Sequence, residues 1–290
     1  MARVGVITFL GSLDDRDALR AVSTVGGTPV PLWHGDTDLQ GVDAILLPGG
    51  FSYGDHLRCG ALARFAPIMG AVAEFAAAGG PVLGICNGFQ ILCEADLLPG
   101  ILTPNHGQRF ICRDVDLIVE AASPWIGNHP VGDTITVPVK HGDGAWFHPQ
   151  EGLAELEANG QILLRYSEDI NGATDRIACI TNAAGNVCGL MPHPEHAVDP
   201  LLGSIDGQLL VGRLTAAYSS AQRNLINGPH AGDTPRQGVP PWHRSRSARW
   251  PISPKVRPRS PRRTARASAS CASATRFTRS AMTVRTRRPR

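Results

Sequence analysis

The sequence predicts an α/β fold, a mainly parallel sheet flanked by helices with additional antiparallel strands. Three observations predict it. Through the first hundred or so residues, apolar runs bounded by turn residues alternate with helix-length segments. One apolar run, Pro81–Ile85, passes without a linker into a helical pattern beginning at Asn87. From Phe110 onward the period changes to two, with Val115, Leu117 and Val119 on one strand face and, apart from Ile118, Asp114, Asp116 and Glu120 on the other.

The elements follow in order. Arg3–Phe9 reads as the first strand. Asp14–Val25 is a helix, opened by Asp14 and Asp15 and closed by Gly26-Gly27. Pro29–Trp33 and Asp43–Pro48 are the second and third strands, and an Ala-rich helix is expected over about Gly60–Ala78, ending at Gly79-Gly80. Pro81–Ile85 is a strand and the next helix starts at Asn87. Past the half-buried strand around Val115–Val119, further strands are expected at Thr134–Val139, Gln161–Tyr166, Ile177–Asn182 and Val187–Met191, with a last helix near Gly203–Gln222.

Charge divides the chain of 290 residues. Residues 1–224 hold 12 Lys+Arg and 24 Asp+Glu, a net charge of −12, whereas residues 225–290 hold 16 and 1, a net of +15. The acidic part carries no signal for phosphate-backbone binding. The tail, rich in Pro, Arg, Ser and Ala, has no helical or alternating period and is expected to be disordered; truncation at residue 225 is expected to leave activity and partner binding unchanged. Nucleic-acid contact would be confined to that tail. No apolar run reaches the roughly 18 residues that span a bilayer, and Met1-Ala2-Arg3-Val4 leads directly into a strand, so a cytoplasmic, membrane-free location is expected. Seven cysteines without a C-x-x-C pair fit neither a disulfide framework nor a zinc ribbon.

Gly84-Ile85-Cys86-Asn87-Gly88 stands where strand turns into helix. Such an elbow lifts its middle side chain above the sheet, and flanking glycines remove Cβ atoms that would clash. The helix N-terminus beside the sulfur favours a thiolate and can hold a developing oxyanion. A cysteine nucleophile needs a base, and the base an orienting group. His193-Pro194-Glu195 supplies both: Pro194 biases His193 toward extended backbone, which puts residues i and i+2 on one side. A metal reading of His193, Glu195 and His196 lacks the companion C-x-x-C or H-E-x-x-H pattern. The glycine loop Pro48-Gly49-Gly50-Phe51-Ser52-Tyr53-Gly54-Asp55 follows a predicted strand, where ligands of open α/β sheets lie, and Gly50 can offer a backbone N–H to an oxyanion. There is no Walker A or G-x-G-x-x-G motif, hence no nucleotide site is expected.

Together these residues resemble the class I, triad-type glutamine amidotransferases, which are flavodoxin-like. Within them the chain is most similar to the PurQ-type glutaminase subunits of phosphoribosylformylglycinamidine synthase. The likeness covers about residues 3–200 and rests on four stretches in order: Pro48–Asp55 with Leu57-Arg58, Gly84–Gln90, Arg109-Phe110 with Cys112-Arg113, and Gly189–Glu195. It implies a glutamine amidotransferase domain over 1–224, with Cys86 as nucleophile, His193 as general base and acid, and Glu195 as its orienting residue. It also implies that Gly50 and Asn87 hold the oxyanion, while Gln90, His141 and Gly142 lie near L-glutamine. The activity implied is hydrolysis of glutamine through a cysteine thioester. The ammonia passes to a large ATP- and Mg-using synthetase subunit, accompanied by a small third subunit, which converts formylglycinamide ribonucleotide to formylglycinamidine ribonucleotide in purine (IMP) biosynthesis. No cofactor or metal is implied for this chain. Two departures stand out. Gly142-Asp143-Gly144-Ala145-Trp146-Phe147 replaces a Gly-Glu-Gly-Arg-Tyr-like stretch, and Asp206–Leu214 lacks the usual aromatic. Other classes compatible with an elbow cysteine are PfpI-like hydrolases or stress proteins, and a non-catalytic docking subunit.

Overall fold

The computed structural model describes residues 1–215. The basic tail expected over 225–290, and the end of the helix expected over 203–222, lie outside the described residues. Strand β1 (Arg3–Thr8) leads to helix α1 (Asp15–Thr24), then β2 (Thr28–Trp33), β3 (Ala44–Leu47), α2 (Ile68–Ala77), β4 (Val82–Ile85) and α3 (Asn87–Glu94). There follow β5 (Ile101–Thr103), β6 (Ile111–Val119), β7 (Thr134–His141), β8 (Ala145–Phe147), α4 (Gln150–Ala158), β9 (Ile162–Tyr166), β10 (Ile177–Thr181), β11 (Val187–Leu190) and α5 (Gln208–Thr215).

Nine of these strands form one sheet in the order β2-β1-β3-β4-β11-β10-β9-β6-β7, and β5 pairs with β8 separately. From β2 to β11 every pairing is parallel; from β11 to β7 every pairing is antiparallel. The sequence carries this division. The four residues each of β3, β4 and β11 are all buried, as strands covered on both faces require, whereas β7 alternates between buried and more exposed positions. Burying each large aliphatic side chain in these strands contributes about 1.5–3 kcal/mol. The strand order reverses beside β1, whose neighbours are β2 and β3, so the C-terminal ends of β1 and β3 open the crevice in which such sheets bind ligands. No helix among the described residues is long and apolar enough to cross a membrane.

The helix expected from Gly60 begins only at Ile68. Pro67 stands at its N-cap, the preceding Ala66 is extended, and Gly60 has a left-handed φ of +79°. A proline there ends any helix that would run into it. Gly60 also lies so close to α3 that an added Cβ would sit 2.8 Å from the Gln90 carbonyl carbon. Helix α4 and the β5–β8 pair are not anticipated by the sequence reading, because both are short and their apolar residues follow no sustained period.

Candidate active site

Cys86 sits between β4 and α3 with φ +50° and ψ −106°, a left-handed geometry that costs a non-glycine residue about 1–3 kcal/mol. The turn is clamped on both sides: the Cys86 N–H donates to the Leu190 carbonyl on β11 (2.8 Å), and the Gln90 N–H donates to the Cys86 carbonyl (3.1 Å). The glycines expected to permit this approach do so. A Cβ on Gly84 would lie 2.7 Å from the Gly88 backbone, and one on Gly88 only 2.0 Å from the Leu47 carbonyl oxygen. The Cys86 side chain is nearly buried, with its sulfur 3.9 Å from the Lys140 carbonyl. Neither the Asn87 N–H, at the first position of α3, nor the Gly50 N–H has an acceptor among the described residues.

His193 and Glu195 follow β11 and are completely buried. Their contact is short, Nδ1 to Oε1 at 2.6 Å. It arises differently from the sequence expectation: residues Pro194–His196 form a 3₁₀ turn rather than extended chain, and the turn brings the carboxylate back to its own histidine. Burial alone would push the His193 pKa down, but the Glu195 carboxylate and the Cys86 sulfur raise it to about 10. Its other nitrogen, Nε2, is buried without a hydrogen-bond partner. The ring and the sulfur are therefore within electrostatic reach, an arrangement suited to a thiolate–imidazolium pair.

A second carboxylate stands behind this pair. Asp14, expected only to open α1, makes no capping hydrogen bond with its side chain. Instead it is buried, ion-paired with Lys140, 3.4 Å from His196 Nε2 and 3.7 Å from His193 Nδ1. Burial opposes its charge, but His196, His193 and Lys140 outweigh burial and hold the carboxyl well below the usual range. Gly49 makes room for the cluster: its Cβ would lie 2.3 Å from Asp14 Oδ2 and 2.8 Å from His193 Cε1. The donor atoms of Asp14, His193, Glu195 and His196 lie within 4.8 Å of one another, a spacing that could hold a metal ion. The Lys140 ammonium already pairs with Asp14, and His193 and Glu195 are hydrogen-bonded to each other.

Cys86, Gly50, Gln90, His141 and Gly142 line one pocket of about 180 Å³. Asn87 lies beside it and organises its floor: Oδ1 accepts from the Ser52 N–H, and Nδ2 donates to Gln90 Oε1 at 2.9 Å. Gln90 Nε2 in turn donates to the Asp143 carbonyl at 2.7 Å, so both ends of the Gln90 amide are tied to protein. His141 is fixed by Asn105, whose Oδ1 can only accept; the Nδ1–H must therefore donate to it at 3.0 Å, leaving Nε2 as an acceptor. Burial and the nearby His193 charge lower the His141 pKa to about 4, so the ring is neutral at pH 7. Asn105, in a loop without a local pattern, carries no sequence signal for this task. The departures at 142–147 divide. Asp143 lines the pocket, but Ala145–Phe147 form β8, where Trp146 is buried and donates to the Pro99 carbonyl.

Residues 1–209 match the family model of the CobB/CobQ-like glutamine amidotransferase domain. The chain is 58% identical over 210 residues to the phosphoribosylformylglycinamidine synthase subunit PurQ of Rhodococcus jostii, covering 72% of this chain and 93% of that one. It is 56% identical to the PurQ subunit of Rubrobacter xylanophilus, over 71% of this chain and 94% of that one. Among solved structures, a chain of PurLQS from Thermotoga maritima is similar with a TM-score of 0.69 and 41% identity, covering 74% of this chain and 98% of that one.

Proposed function

The chain belongs to the CobB/CobQ-like glutamine amidotransferase family, and from that premise we propose that it is the glutaminase subunit of a phosphoribosylformylglycinamidine synthase. The observation that carries the chemistry is Cys86 at the strained elbow, within reach of a buried His193 that is bonded to Glu195. The near full-length similarity to PurQ subunits supports the pathway.

In the reaction the Cys86 thiolate attacks the amide carbon of L-glutamine, and the N–H groups of Gly50 and Asn87 hold the oxyanion. His193, as imidazolium, gives its proton to the amide nitrogen; the C–N bond breaks, ammonia departs and a glutamyl thioester remains. A water molecule loses a proton to His193, attacks the thioester carbonyl and releases glutamate, restoring the thiolate and the imidazolium. Glu195 orients the ring throughout. Gln90, His141 and Gly142 shape the glutamine pocket. The ammonia is delivered to a large synthetase subunit, which uses ATP and Mg, with a small third subunit in the complex, all in the cytoplasm.

The direct test is reconstitution. The synthetase subunit should aminate formylglycinamide ribonucleotide with free ammonia alone, but with glutamine only when this chain is added. Failure of glutamine to support the reaction in the mixture would overturn the assignment. A further expectation concerns pH. Because the His193 pKa is raised, its proton is retained through neutrality and lost only as pH approaches about 10, which sets the alkaline limb of kcat/KM. Glu195→Gln removes the strongest influence raising that pKa, so the alkaline limb should move to lower pH and the rate at pH 7.5 should fall about 10–100-fold. An unmoved limb would show that another group sets it.

A further inference from the structure

The mechanism above uses one carboxylate at His193, and the structure places two there. Glu195 meets Nδ1 at 2.6 Å, and that nitrogen carries only one hydrogen to give. Asp14 Oδ2 nevertheless lies 3.7 Å from the same atom, on a side chain that is only 5% exposed. That is too long for a second hydrogen bond. It is short enough for the charge to act on the ring, with little water between to screen it.

Helix capping does not account for this carboxylate. The Asp14 side chain bonds no N–H of α1, and burial opposes its charge. A buried anion persists where partners outweigh its lost hydration. The partners here are the Lys140 ammonium, His196 Nε2 at 3.4 Å and His193 itself. The main chain fixes the position as well. The Leu13 and Asp14 N–H groups both donate to the Gly49 carbonyl, at 3.1 and 3.2 Å. Asp14 and His193 then close over the same bare α-carbon, since a Cβ on Gly49 would meet Oδ2 at 2.3 Å and Cε1 at 2.8 Å.

The charges around the ring stand in a definite order. His193 is faced by Glu195 and His196 from its own turn, by Cys86 from the elbow, by Asp14 from the start of α1 and by His141 from β7. His141 is neutral at pH 7. Lys140, also from β7, binds Oδ1 of the carboxylate whose Oδ2 faces the ring. Without that carboxylate, the ammonium would oppose the imidazolium with nothing between them.

We propose that Asp14 is a positioning residue for the glutaminase reaction: its carboxylate stands between the Lys140 ammonium and the His193 ring, so that the imidazolium keeps its proton until the amide nitrogen takes it. The inference rests on the glutaminase reading given above. It gives Asp14 no contact with the reacting atoms.

The test follows the alkaline limb of kcat/KM for glutamine, using the full chain assembled with its synthetase subunit. Asp14→Asn keeps the shape of the side chain and removes its charge. The lost anion and the unopposed Lys140 ammonium then act in the same direction, so the limb should move down by about 1–2 pH units. Adding Lys140→Met to that chain removes the ammonium, and the limb should return at least halfway toward its wild-type position. A role in structure alone would leave the limb of Asp14→Asn unmoved, or leave the double variant as low as the single one. Either result would overturn the proposal and leave the glutaminase reading standing. If Asp14→Asn does not fold, Lys140→Met alone decides: its limb should rise by about half a pH unit or more, and a limb unmoved or lowered would overturn the proposal. A wild-type complex that hydrolyses no glutamine would remove the glutaminase reading and the role of Asp14 with it.

Discussion

Cys86→Ala should abolish glutamine hydrolysis, lowering kcat by roughly four orders of magnitude or more, while the protein stays folded. Alanine is smaller than cysteine and meets the same left-handed φ of +50°, so no new steric conflict arises. The remaining N–H groups, His193 and Glu195 cannot replace a nucleophile that forms the thioester. The loss should appear as absent glutamate release in the assembled complex, with ammonia-dependent amination by the synthetase retained. Substantial residual turnover would mean that another group attacks the amide.

Gly88→Ala should be the most destabilising single-methyl substitution of the elbow. Its Cβ would lie 2.0 Å from the Leu47 carbonyl oxygen and 2.7 Å from the Leu47 carbonyl carbon, both backbone atoms of β3 that cannot swing aside. Either α3 moves off the sheet, or β3 shifts in the centre of the parallel core. The cost should be about 3–4 kcal/mol, which lowers Tm by roughly 10 °C for a domain of this size, and the displaced Cys86 should lose most of its reactivity. Gly70 supplies the contrast. It lies within α2 with nothing within 4 Å of an added Cβ, so Gly70→Ala should raise stability by up to about 1 kcal/mol. Thermal unfolding of the two variants checks both signs; a Gly88→Ala protein as stable as the wild type would show that the close approach of α3 to β3 is not required.

Much of the parallel half was legible because fully buried strands and the glycine stops that follow α1 and α2 agree there. The elbow was legible for the same reason: Gly84, Cys86 and Gly88 are spaced by a local steric rule that acts within five residues. His193 and Glu195 were found from a two-residue spacing, although the backbone joining them is a 3₁₀ turn and not a strand. The misread start of α2 has a local cause, since alanines favour helix at every position while Pro67 and the tight approach at Gly60 decide where it begins. Asp14 shows a deeper limit. An aspartate before a helix reads as a cap, and only contacts with residues more than a hundred positions along the chain turn it toward Lys140, His193 and His196. Asn105 and Asp143 likewise acquire their roles from contacts across more than thirty residues, for which no periodicity exists.

The central claim, that Cys86 is a glutamine-reading nucleophile, is tested most directly by intact mass spectrometry after incubation with a glutamine-mimicking diazo-ketone. Wild type and Cys86→Ser are compared, each in the presence of the synthetase subunit. A single adduct on the wild type, mapped to Cys86, absent from Cys86→Ser and suppressed by excess glutamine, is the predicted result. No adduct on the wild type, or an equal adduct on Cys86→Ser, would contradict the claim and leave this chain as a docking subunit or a hydrolase of another kind.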